Sequence, residues 1–415
     1  MKAQCEAARF DENVHRLTRR FLALWEEVPQ DYPELAMRFT PRQQAKNERS
    51  LDRQLWEIPA SLAAYEQMPM KDRLRMRSRV RKAVTGLPWF TRDPVRDRFF
   101  DASERVTWSF VDAAREFDPG INEDEIQQAL RNLWVFNSIQ LLLGRSVLLT
   151  PSSFAYSLLY PYTDNGLDGE VRTPEEKRTM VEWLTRWFKG EPCVPTDGLT
   201  KKVGGLLQMV EREYPRSLFP NVHYSLHAIH RAQQKSLVLH DAPRSSDDAG
   251  LLSITLEKGG ASVLADGYLA AGRLTPAQAE ALFGYGVFLQ LIDDLQDLDE
   301  DVNPGHSTPF GRAREDGLLD DITSRLIHFT RRCVVMLKDQ ASPGSAPIDR
   351  VIEQSGLLLV AEAVARYRIH YSDRFLEHLG RSLPLGLAYL GEMKQNVKKR
   401  QVSPCRVTDN TMSIA

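Results

Sequence analysis

Apolar side chains recur at three- and four-residue steps along most of this chain, and no alternating run extends beyond a few residues. That period predicts helices and no sheet. The predicted segments are Asn13–Glu27, Glu48–Val84, Val95–Glu116, Glu123–Leu149, Pro151–Tyr162, Pro174–Phe188, Leu199–Glu213, Val222–Leu239 and Leu251–Ala271. A further helix starts at Thr275 and runs into Phe283–Asp301; others are expected over Leu318–Leu337, Ile348–Leu379 and Pro384–Lys399. Start signals are clear in places. Asn122 precedes three acids, and Thr173 and Thr275 each precede a proline that suits a first helical turn. Gly86–Pro94, Thr163–Glu170 and Asn303–Pro309 read as loops. The fold class is therefore all-α, a bundle of long helices. With no internal repeat and no compositional break, the expected organisation is an N-terminal helical extension (1–47), one helical domain (48–400) and a flexible tail (401–415).

Composition narrows the function without naming it. The 415 residues are 42% hydrophobic and 27% charged, ample for a large core, and the net charge of −2 argues against nucleic acid as a partner. The basic run Arg73–Lys82 is broken by apolar residues and reads as a solvated helix face. Cys5, Cys193, Cys333 and Cys405 form no paired motif, which suits free thiols in a reducing, cytoplasmic setting. Met1–Leu17 lacks the apolar core of a secretory signal. Leu133–Leu149 is the most apolar stretch, but Asn137, Gln140, Gly144 and Arg145 mark it as a buried core helix rather than a membrane span.

The chemistry concentrates in acids placed on oily helices. Asp293, Asp297 and Asp301 are four residues apart, with Asp294 one step round, so they form a row of carboxylates along one helix. Like charges in such a row cost a few tenths of a kcal/mol per pair, about the inverse of an ion-pair gain. A divalent cation removes that cost, and hard carboxylate oxygens suit Mg²⁺ shared with a phosphate-bearing substrate. Asp164 and Asp168 repeat the spacing at the end of another apolar helix, with Asn165 as a neutral oxygen donor; alone, the segment also reads as a loop. Two such rows facing one another would need cations and an anion between them. Lys258 is a candidate for holding that anion, as are Arg231 and Lys235 at i, i+4. Gly259 and Gly260 follow Lys258 inside a helix at a cost of about 1 kcal/mol each. Either a helix break that admits a diphosphate or a close helix–helix contact would explain them. His223, His227 and His230 sit at i, i+4, i+7 and could ligate zinc, but the glutamate of an HExxH motif is missing and packing or substrate contacts suit them better. No GxGxxG, Walker, GxSxG or CxxC pattern is present.

Gly286–Asp297 (GVFLQLIDDLQD) resembles the second aspartate-rich motif of class I isoprenoid enzymes, the trans-prenyl diphosphate synthases and terpene synthases. Asp293, Asp297 and Asp301 match the spacing of the terpene-cyclase metal triad, and Asp164, Asn165 and Asp168 resemble the first metal motif with Asn in place of its second Asp. YTDNGLD, KGGASVLADGYL, LQLIDDLQD and HYSDRF are most similar to the bacterial branch around tetraprenyl-β-curcumene synthase. The resemblance spans about Phe154–Leu390. It implies a helical bundle around a central cavity, with three Mg²⁺ held by Asp164, Asn165, Asp168, Asp293, Asp294, Asp297 and Asp301. Lys258, Arg231, Lys235 and Arg366 would neutralise a departing diphosphate, with Asp164, Asp168, Asp293 and Lys258 as the catalytic set. Phe154, Tyr156, Tyr160 and Phe288 would line the cavity against an allylic cation, although such aromatics are more often core than cavity lining. The paired arginines of chain-elongating synthases are missing after the first motif, where only Arg172, Lys177 and Arg178 lie near. Their N-terminal Gly-Lys anchor is not visible either. The expected activity is thus Mg²⁺-dependent ionisation of one linear prenyl diphosphate to a terpene hydrocarbon or alcohol, by a monomer or homodimer. Chain elongation and a non-catalytic isoprenoid-diphosphate binder remain the alternatives. An oily product also allows peripheral membrane contact, for which Lys394–Arg400 is a candidate, although a solvated helix end suits that segment better.

Overall fold

The computed structural model describes residues 2–35, 38–55, 68, 71–73, 75–76, 78, 86, 94–168, 173–240, 248–298, 308–343, 345 and 348–392; over 164–168 it describes the course of the helix but not the side chains. Among these residues there is no strand. The helices are α1 Lys2–Glu27, α2 Pro41–Leu55, α3 Pro94–Phe117, α4 Glu123–Leu142, α5 Pro151–Asp168, α6 Pro174–Phe188, α7 Gly198–Glu213, α8 Pro220–His240, α9 Asp248–Ala271, α10 Pro276–Gln296, α11 Pro309–Asp316, α12 Asp320–Gln340, α13 Ile348–Arg366 and α14 Asp373–Gly380. None is long and apolar enough to cross a membrane. Asp301, most of Arg73–Lys82, Lys394–Arg400 and the tail lie outside the described residues.

The chain divides into two compact units, one of Met1–Glu34, Thr91–Val360 and Ile369–Phe375, the other of Leu35–Phe90, Ala361–Arg368 and Leu376–Ala415. In the larger unit α9 and α10 are apolar on every side, which places them in the middle of a bundle. α9 packs against α10, α8, α1, α4 and α5, while α10 also takes α12. Gly259 and Gly260 do not break α9. A Cβ on Gly259 would stand 2.5 Å from the carbonyl oxygen of Gly286, so two backbones meet here with no side chain between them. The helix-contact explanation of the glycine pair is the one realised.

Several expected boundaries shift for identifiable reasons. α1 starts well before Asn13. Phe10, Val14, Leu17, Phe21 and Trp25 form one buried stripe, and Phe21 stacks on Phe283 at 5.7 Å, so α1 belongs to the core of the larger unit. α4 stops at Leu142 because Gly144 turns the chain at φ 70° and the carbonyl of Leu142 accepts a hydrogen bond from the Ser342 amide. The segment read as a loop after Tyr162 continues α5 to Asp168 despite Pro161. Tyr162 donates to Asp118 at 2.8 Å, and Lys202 meets the same carboxylate at 2.5 Å, tying that turn to its neighbours. The helix expected to run to Leu379 breaks after Arg366. The Ser372 amide donates to Asp320 at 2.9 Å and the Leu319 amide to the His370 carbonyl at 2.8 Å, so tertiary bonds outcompete helix continuation. In the smaller unit Gln44 donates to the Gly380 and Leu383 carbonyls, and Tyr389 donates to Asp52, joining α2 to the segment after α14.

Candidate active site

Contacts along α9 set the heights of its neighbours. On α10, Leu282 meets Gly267, while Gly286 and Gln290 meet Gly259, so numbers rise on α10 as they fall on α9. On α5, Ser152 donates to the Leu269 carbonyl at 3.3 Å and Tyr156 to the Ser262 carbonyl at 3.2 Å, giving the same sense. α5 and α10 therefore run parallel to each other, and both acidic ends point the same way. Asp293 is three residues past Gln290, about 4.5 Å of rise, which puts it level with residue 256 of α9. Asp164 is eight residues past Tyr156, about 12 Å, level with about residue 254. The two rows begin within about 3 Å of each other along the bundle. Residues 129 positions apart in sequence thus share one end of one unit.

Within the second row the acids differ. Asp294 is buried and accepts from Gln290 Nε2 at 2.9 Å, so its carboxylate is turned toward the α9–α10 seam. Asp293 and Asp297 are half-buried at the last turn, where the Asp297 amide still bonds the Asp293 carbonyl. Among the described residues no group of three or more His, Cys, Asp or Glu is gathered to hold a metal ion. Any complete site would need donors from outside that set, and the α5 acids are at the right height to provide them.

The four candidate cations separate clearly. Lys258 sits within about 3 Å of Asp293 along the bundle axis, is half-buried, and makes no hydrogen bond or ion pair with any described residue. Lys235 is engaged by both oxygens of Glu257, at 2.6 and 2.8 Å, and Arg231 by Asp11 at 2.6 Å. Arg366 belongs to the smaller unit, where it pairs with Glu362 at 2.6 Å. A fifth cation was not singled out by the sequence reading. Arg314 of α11 donates to the Leu298 carbonyl at 2.9 Å, one residue past Asp297. Its signal was available, since Thr308–Pro309 repeats the start pattern of α6 and α10.

The aromatics and histidines are occupied by packing. Phe154 lies 5.4 Å from Phe110 and 6.0 Å from Phe117, Phe288 lies 5.1 Å from Tyr285, and Tyr156 is buried; Tyr160 is half-buried nearer the acidic end. His223 bonds the Tyr214 carbonyl at 2.6 Å, and His230 bonds Thr185 at 2.9 Å, each on a different element. Burial lowers the pKa of all three, with His230 down to about 4, so they are neutral at pH 7. A buried acid also went unnoticed in the run SVLADGYL. Asp266 is fully buried on α9, and Asn132 Nδ2 lies 3.3 Å from it; burial raises its pKa well above the ordinary carboxylate range.

No family model and no curated protein matches the chain. Among solved structures it is similar to a geranylgeranyl pyrophosphate synthetase from the archaeon Geoglobus acetivorans. The likeness is 14% identity and a TM-score of 0.32, over 80% of this chain and 97% of that one.

Proposed function

We propose that the acidic end of α5 and α10 binds the diphosphate of a linear prenyl diphosphate and ionises it, as a class I terpene synthase does. The observation that carries this reading is the common height of the two acidic helix ends with Lys258, a half-buried cation with no partner among the described residues. An ammonium without a carboxylate partner among the described residues leaves a positive charge that an incoming anion can meet. Asp293 and Asp297, half-buried and all-oxygen, fit a hard divalent ion, with Asp164, Asn165 and Asp168 as the opposing donors and Asp301 as a further one. Bound there, Mg²⁺ supplies positive charge to the leaving diphosphate. Lys258 then holds a diphosphate oxygen as its charge grows. Gln290 fixes Asp294 in place, and Arg314 steadies the end of α10. The engaged state of Arg231 and Lys235 makes them weaker candidates than Lys258, because each would first have to leave a carboxylate.

The dense packing of Phe154, Tyr156 and Phe288 favours a second reading, in which the chain binds a prenyl diphosphate without ionising it. One experiment separates the possibilities. Diphosphate release is measured from a C10 to C35 panel of prenyl diphosphates with and without Mg²⁺, and extracts are read by mass spectrometry. Mg²⁺-dependent release with a hydrocarbon or alcohol product, lost in Asp293→Asn and Lys258→Ala, supports the synthase. Turnover only with added isopentenyl diphosphate means chain elongation. Binding without release supports the second reading, and neither binding nor release rejects both.

A further inference from the structure

A cleft of about 1490 Å³ opens at the opposite end of α9, lined by Gly272 and Arg273. Gly272 is sixteen residues from Leu256, about 24 Å along the helix, so this cleft is separate from the acidic end. Its walls come from the first turns of α1, the end of α6, the α7–α8 connection and the first turns of α8.

One wall is apolar. Phe188, Phe219 and Tyr224 are half-buried there, and Leu218 is 61% exposed. The charged residues sort by their partners. Asp11 is met by Arg231 at 2.6 Å, Glu191 by Arg186 at 3.0 Å, and Arg216 by Glu211 at 2.8 Å. Lys189 and Arg273 have no carboxylate partner among the described residues, and Glu6, beside Tyr224, has no cationic one; Arg273 donates only to the Leu218 carbonyl at 3.3 Å and lies over the Phe219 ring. Asn221 brings in the N-terminal turn of α8, a 21-residue helix whose dipole favours an anion there. His223 also lines the cleft; it is 2% exposed and bonds the Tyr214 carbonyl through Nε2 at 2.6 Å, so its Nδ1 is an acceptor. That Nδ1 is buried and has no hydrogen-bond partner, with the Glu211 carboxylate 3.8 Å away. An unmet buried acceptor costs about 1–3 kcal/mol.

We propose that this cleft binds a phosphate monoester with an apolar body, the phosphate against Lys189, Arg273 and the start of α8 and the body against Phe188, Phe219 and Tyr224. A phosphate monoester suits the set because it offers acceptor oxygens to the cations. A soluble metabolite and a lipid headgroup share this chemistry.

The test is calorimetric titration of the full chain with phenyl phosphate, inorganic phosphate and phenol at pH 6, beside sedimentation with phosphatidic-acid vesicles. The expected result is binding of phenyl phosphate at least about fivefold tighter than inorganic phosphate, and none of phenol. Lys189→Ala and Arg273→Ala should each weaken it about fivefold or more, roughly the loss of one charge-assisted hydrogen bond. Asp293→Asn should leave it unchanged, which distinguishes this cleft from the acidic end. Vesicle association that Arg273→Ala abolishes assigns the ligand to a lipid headgroup; binding of phenyl phosphate without vesicle association assigns it to a soluble ester. Failure of both probes, equal affinity for inorganic and phenyl phosphate, or undiminished binding in both alanine variants overturns the proposal.

Discussion

Gly259→Ala tests the seam on which the acidic end depends. In an open helix interior, replacing glycine by alanine stabilises by about 1 kcal/mol, because the backbone loses less freedom on folding. At Gly259 the new Cβ would stand 2.5 Å from the Gly286 carbonyl oxygen and closer still to the Gln290 Cβ. Both neighbours belong to the rigid backbone or its first carbon, so neither can swing away. Restoring an ordinary contact requires α9 and α10 to part by about 1 Å, and overpacking of this kind costs about 1–3 kcal/mol. The net expectation is destabilisation by up to about 2 kcal/mol after the propensity gain is subtracted. Gly356→Ala in α13 is the internal control. Its Cβ would meet Thr330 at 3.6 Å and Ile292 and Phe288 at 3.7 Å, all ordinary contacts, so it should stabilise by up to about 1 kcal/mol. Urea midpoints by circular dichroism read both. A Gly259→Ala midpoint above that of the parent chain refutes the backbone-to-backbone seam and the heights derived from it.

Lys258→Ala should lower Mg²⁺-dependent diphosphate release at least about tenfold, an expected loss of ~1.4 kcal/mol or more in transition-state stabilisation, while Arg366→Ala leaves it within about twofold. Steady-state assays of the two variants check this. His230 has a folded pKa of about 4 against an ordinary 6.5, so the unfolded chain takes up its proton first as the pH falls. Stability should therefore rise between pH 4 and pH 6.5, with about 3 kcal/mol from this residue, and His230→Gln should flatten that rise in urea titrations. Asp266 works in the opposite sense. Its folded pKa lies above 3.8, so the unfolded chain ionises first and stability falls as the pH climbs above that value. Asp266→Asn keeps the shape of the protonated acid, and its midpoint should gain on the parent chain between pH 4 and pH 8.

Helix identity was legible because burial in a bundle imposes a 3.6-residue stripe on the outer helices, such as α1, and the stripe survives in sequence. The stops were less legible. α4 and α13 end where Ser342 and Asp320 supply bonds from distant chain, and α5 continues past Pro161 because Asp118 and Lys202 hold its last turns. None of these partners is local. The acids at 164 and 293 were found from spacing alone, but their common height required the contacts of Ser152, Tyr156 and Gly259 with helices far away in sequence. Lys258 could be listed beside Arg231, Lys235 and Arg366, yet only tertiary structure reveals which of them already hold a carboxylate. Asp266 escaped notice because a single acid in an apolar run carries no periodic signal.

The shared direction of α5, α8 and α10 has a consequence for the order of events at the acidic end. Lys235 of α8 meets Glu257, so the carboxyl terminus of α8 also points there. Each helix ends with about half a negative charge. Three of these add to the aspartate rows, and of the four candidate cations Lys258 alone stands without a protein counter-charge among the described residues. Under the proposed function, an incoming diphosphate ester, itself anionic, would meet an opposing field as it nears the acidic end, within a screening length of about 8 Å at physiological salt. Entry would then be gated by charge: the ester would arrive escorted by cations or after them, and raising the ionic strength should speed its unescorted approach while weakening its final hold.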